Sequence, residues 1–81
     1  TTPLQALNLM NSQFMETQCN IIAGKVASAD PVDSIRKLFL LIYNRQPSEL
    51  ELVMSQKILK SEKLSILCRA MLNSNEFIFI Q

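Results

Sequence analysis

Histidine and tryptophan are missing from this 81-residue chain, glycine occurs once, and there are three prolines and two cysteines. Without histidine no Ser-His or Cys-His pair can form, which removes the commonest acid–base and nucleophilic machinery. Cys19 and Cys68 stand alone, with no Cys-x-x-Cys. That falls short of the roughly four ligands of a zinc site and of the Cys-x-x-Cys-His needed to attach a c-type haem. Scarce glycine and proline argue against a turn-rich all-β domain. Neither sign of charge dominates: eight Lys/Arg face seven Asp/Glu for a net charge of +1. The basic excess of a nucleic-acid binder is therefore lacking. The longest apolar run, Leu38 to Tyr43, is far below the ~20 residues of a membrane-spanning helix.

What remains is 48% hydrophobic and 19% charged, a composition that folds rather than stays disordered. One helical domain over 1–81 is expected, able to bury ~60–65% of its unfolded surface. The start at Thr1-Thr2-Pro3 without an initiator Met is read as a segment excised from a larger protein. Each cysteine reads as a small buried hydrophobe. A Cys19–Cys68 disulfide is the alternative, and it requires an exported parent and close approach of two helices.

Helix-start signals recur along the chain. Thr2-Pro3-Leu4-Gln5 opens a short helix over about 3–10, closed by Asn11. Ser12 caps a second over about 13–28, whose stripe is Met15, Cys19, Ile22 and Val26, broadened by Phe14 and Ile21. Asp30-Pro31 launches a third helix to Tyr43 or Asn44, burying Ile35, Leu38, Phe39 and Ile42 with Leu41 as an added contact. Pro47 makes 44–47 a connector. Ser48 and Glu51 form a capping box for a fourth helix over about 49–59, with Leu50, Val53, Met54 and Ile58 facing the core. Ser61 caps a fifth over about 62–73, presenting Leu64, Leu67, Cys68, Met71 and Leu72. The apolar tail Phe77-Ile78-Phe79-Ile80 is expected to dock on the bundle. Two polar corners, Asn11-Ser12 and Asn73-Ser74, each stop one helix, and Phe14 and Phe77 return the chain to the core after them.

Three blocks carry a resemblance. Thr1 to Asn11 looks like the opening of the C-terminal part of the planctomycete PSD domain family, whose function is unknown. Arg45-Gln46-Pro47-Ser48 followed by Glu51-Leu52 is similar to that family's Arg-x-Pro-Thr/Ser-x-x-Glu-Leu motif. Met71 to Phe77 is similar to its closing Leu-Leu-Asn-Ser-Asn-Glu-Phe motif. Ser12-Gln13 departs from the Asp-Pro often found there, although Ser12 can still cap. The resemblance implies the terminal segment of a large exported protein whose other parts include planctomycete-specific domains and, in many members, a c-type cytochrome domain. It implies no catalytic residue, and any haem would belong elsewhere in the parent.

Candidate chemistry is thin. Ser34-Ile35-Arg36-Lys37 matches a Ser-x-x-Lys pattern within an amphipathic helix. Asp30/Asp33 and Glu49/Glu51 are read as helix-start charges, worth ~0.3–1 kcal/mol each, rather than as dyads or calcium ligands. Lys57, Lys60 and Lys63 read as helix-end and solvating charges, with an anion or polysaccharide contact as the alternative. Arg45 and Glu76 are expected to pin the third-helix corner to the closing corner. Thr2, Gln5, Asn8 and Asn11 read as self-capping groups, with contact to the rest of the parent as the alternative.

These observations give an all-α orthogonal bundle of four to five short helices, with no catalytic, cofactor or metal residue. The expected role is a non-catalytic structural or interaction module. Its partners would be other domains of the parent or another protein, not nucleic acid. The rivals are a contribution to an enzyme or redox site completed by upstream domains, and binding of anionic polysaccharide. An exported parent implies the periplasm or cell envelope.

Overall fold

Four helices follow one another in the computed structural model, which describes residues 12–74: α1 Ser12–Val26, α2 Pro31–Tyr43, α3 Glu49–Ser61 and α4 Leu64–Leu72. No strand occurs among the described residues. The helix expected over 3–10 and the tail 77–80 lie outside them. The chain is an all-α bundle in which α1 packs chiefly against α4, and α2 chiefly against α3. Cys19, Val26, Ile35, Leu38, Phe39, Leu67, Cys68 and Met71 form its buried centre.

In α1, Met15, Cys19 and Val26 are buried and Ile22 packs against the core. Phe14 and Ile21, expected to widen the stripe, are 51% and 48% exposed. Each lies one residue, about 100°, off the Met15–Cys19–Ile22–Val26 line, so the contact with α4 does not reach them. The helix leaves through Ala27, whose N–H donates to the Ala23 carbonyl at 2.9 Å.

Helix α2 begins as its sequence directs. The Asp30 carboxylate accepts from the Val32 N–H at 3.0 Å, and Pro31 occupies the first turn, where no donor is needed. Buried Ser34 turns its hydroxyl back to accept from the Ser28 N–H at 2.9 Å, which fastens the preceding turn. Ile35, Leu38 and Phe39 are fully buried. Leu41 was expected to add a contact but is 58% exposed. It lies roughly 110° from the middle of the arc formed by Ile35, Leu38, Phe39 and Ile42. Asn44 ends the helix in the left-handed region (φ 58°) and donates to the Leu40 carbonyl, a geometry asparagine tolerates better than most residues.

The core face of α3 differs from expectation. Leu50 and Val53 are 50% and 48% exposed, whereas Ser55 is fully buried. Leu52, Met54, Ile58 and Leu59 pack around it against the core. Counting Ser55 as polar hid the true centre of the buried arc: Leu52 and Leu59 flank it on one side and Ile58 on the other. Ser61 also differs. It belongs to α3 and its hydroxyl donates to the Ile58 carbonyl at 3.4 Å instead of capping the next helix. Glu62 and Lys63 are extended, so α4 starts at Leu64 without a side-chain cap. On α4 the expected face is observed, with Leu67, Cys68 and Met71 buried and Leu64 and Leu72 packed beside them.

Candidate functional site

The most connected polar group in the described structure is the corner between α2 and α3. Pro47 holds the connector extended, and Ser48 then turns the chain into α3. Its hydroxyl accepts from the Glu51 N–H at 3.1 Å, while Glu51 Oε1 accepts from the Ser48 N–H at 2.8 Å. This reciprocal cap is the one expected from the sequence. Arg45 closes a second ring over it. Its Nη1 donates to Glu51 Oε1 and its Nη2 to Glu51 Oε2, each at 2.8 Å, and Nη1 also donates to the Gln46 carbonyl at 3.0 Å.

Aromatic rings support the guanidinium. Its central carbon lies 5.7 Å from the centroid of Phe39 and 5.5 Å from that of Tyr43, within cation–π range. Those two rings meet edge to face at 5.4 Å. The Tyr43 hydroxyl donates to the Met71 carbonyl at 3.3 Å, so the corner also reaches the end of α4. The Arg45 side chain is 37% exposed and that of Glu51 only 15%. The bonds from Arg45, reinforced by the Ser48 backbone, outweigh burial and lower the Glu51 pKa to about 2.

Glu51 is the residue that sequence reasoning undervalued. Capping alone is expected of it from the sequence, and the Arg-x-x-Ser-x-x-Glu spacing is the signal that one carboxylate can serve both cap and fork. Glu76, the partner expected for Arg45, lies outside the described residues, as do Thr2, Gln5, Asn8 and Asn11. Lys57 and Lys60 are exposed on α3, with Lys60 in its last turn, where a cation is favoured. Lys63 is exposed at the start of α4, where the helix dipole disfavours positive charge.

Other candidate chemistry is dispersed. The Ser34 hydroxyl is engaged with the Ser28–Asp30 turn. Lys37 pairs with Asp33 at 3.1 Å on the surface. The Asp33 pKa is lowered, first by its bond to Lys37 and then by one to Ser28. Among the described residues no three His, Cys, Asp or Glu side chains converge as metal ligands. None of the described helices is long and apolar enough to cross a membrane. Lys25, Val26, Lys37, Leu40 and Leu41 line a shallow apolar depression between α1 and α2.

These features define a small helical domain whose clearest motif is spent on a corner. Comparison with known families gives it a place. The chain belongs to the PSD1 family, described as a protein of unknown function (DUF1553), whose family model matches residues 1–59. The match takes in the opening block and the whole Arg45–Glu51 motif, and the Met71–Phe77 block lies beyond it. No curated protein matches the chain. No solved structure matches it either.

Proposed function

We propose that this domain is a non-catalytic structural or interaction module of a large multidomain planctomycete protein, packing against sibling domains or a protein partner. The supporting observation is the use made of its most motif-like residues. Arg45 and Glu51 are bonded to each other and to the chain around them. A residue kept for substrate usually presents an unsatisfied group to a cleft; here the guanidinium and the carboxylate face each other. Apolar side chains offer the contact surface, with Leu40 45% and Leu41 58% exposed on α2 and Leu50 50% and Val53 48% exposed on α3.

The test is deletion of this segment from the parent protein. Assembly of the parent, read by sedimentation or limited proteolysis, is expected to fail while turnover per remaining active molecule is kept. Intact assembly with lost turnover or lost haem would favour a contribution to a shared enzyme or redox site. Salt-sensitive binding of the isolated chain to an anionic polysaccharide, abolished by neutralising Lys57, Lys60 and Lys63, would favour that role instead.

A further inference from the structure

Cys19 and Cys68 come from opposite ends of the described chain yet meet in the core. They sit on α1 and α4, the two helices that pack most closely together. Both are free thiols, 1% and 0% exposed, within one buried cluster, close enough for each to shift the other's ionisation. The neighbours of the pair in that cluster are apolar, among them Val26, Leu67 and Met71. A disulfide needs two β-carbons held close by a rigid frame, and two packed helices supply one.

The geometry points to an intramolecular disulfide site, Cys19–Cys68, that clamps α1 to α4 when the chain folds in the presence of a disulfide oxidant. Two exchanges make the bond. The deprotonated sulfur of one cysteine attacks an external disulfide RSSR, giving a mixed disulfide and releasing RS⁻. The second cysteine, deprotonated in turn, attacks the protein-side sulfur of that mixed disulfide, forming the Cys19–Cys68 bond and releasing a second RS⁻. Two electrons pass from the protein to the oxidant, and the two protons leave with the released thiols.

Burial decides when this can happen. In the closed bundle neither sulfur is reachable, and burial pushes the Cys68 thiol up to about 12 and raises Cys19 as well. Thiolates, which carry the exchange, are therefore scarce in the folded reduced state. The bond forms during folding, or when α4 lifts from α1, and thereafter holds the opening shut.

The experiment uses the 81-residue chain, reduced and unfolded, then refolded in mixed reduced and oxidised glutathione. Acid quenching, alkylation under denaturing conditions and intact mass count the thiols. Both are expected to vanish together from a monomer two hydrogens lighter, exceeding glutathione adducts by about tenfold because the second thiol is already in place. The thermal midpoint is expected to rise on oxidation and to return with a reductant. In a parallel arm the natively folded reduced chain meets the same mixture, and a low urea concentration is expected to speed cross-linking severalfold by opening the bundle. The C19S and C68S variants should each retain a glutathione adduct and no cross-link. Persistence of both thiols, dominance of mixed adducts or intermolecular dimers, or a cross-link that lowers the midpoint would each overturn the assignment.

Discussion

Arg45 holds Glu51 with both arms of its guanidinium, Nη1 to Oε1 and Nη2 to Oε2, each at 2.8 Å. The same Oε1 caps the backbone of Ser48. One carboxylate therefore joins the exit of α2 to the entry of α3. Removing the cation would leave a mostly buried charge with only backbone partners. Arg45→Ala is expected to destabilise the chain by ~1–3 kcal/mol. Arg45→Lys should recover only part of this, because an ammonium cannot make the paired contact. Urea denaturation of the three proteins measures both effects.

The same pair sets an acid limit. The folded Glu51 pKa is about 2, against an ordinary value of 4.5. A depressed carboxyl contributes stability above its unfolded pKa and loses it as pH falls through the folded one. The window is therefore between about pH 4.5 and pH 2. After allowance for solvent around the partly exposed guanidinium, the contribution is on the order of 1–2 kcal/mol. Glu51→Gln, which can still cap, is expected to lower stability at neutral pH and to flatten the acid slope across that window. Chemical denaturation at a series of pH values gives the difference curve.

Ser55 offers a gain. It is fully buried at the centre of the inward face of α3, and its hydroxyl has no hydrogen-bond partner among the described residues. Such a group bears a desolvation cost without recompense. Ser55→Ala keeps the small volume, improves helix propensity and removes the orphan, so a rise of ~1 kcal/mol is expected. The thermal midpoint should climb by several degrees, since ~1 kcal/mol corresponds to ~4–8 °C in a domain of this size. An unchanged or lower midpoint would mean that the hydroxyl is satisfied in solution.

Gly24 offers another. It lies inside α1 without a positive φ, and a β-carbon placed there meets nothing among the described residues within 4 Å. Nothing in the local geometry requires glycine. Gly24→Ala is expected to stabilise the helix by ~0.5–1 kcal/mol, read as a higher midpoint with unchanged helical content.

The sequence made some of this plain and concealed the rest for physical reasons. Asp30-Pro31 and Ser48/Glu51 were readable because local capping needs only neighbouring residues, and both caps form as expected. The faces of α1, α2 and α4 followed from uninterrupted apolar lines. On α3 the line runs through a serine, and a polar residue at the centre of the buried arc defeats periodicity. Leu41 and Ile21 show the converse: apolar character draws a side chain inward only where a neighbouring helix covers it. The Arg45–Glu51 fork depends on how a corner folds back on itself, which spacing permits without requiring. The meeting of Cys19 and Cys68 depends on the α1–α4 contact, which no local signal specifies.

The central claim is that the motif from Arg45 to Glu51 locks a corner rather than waiting for a ligand. A double-mutant cycle tests it most directly, comparing unfolding free energies of the wild-type chain, Arg45→Ala, Glu51→Ala and the double variant at neutral pH. The structure predicts a coupling of ~1–2 kcal/mol, with helical content kept in all four proteins. A coupling near zero, with both single variants as stable as the wild type, would contradict it.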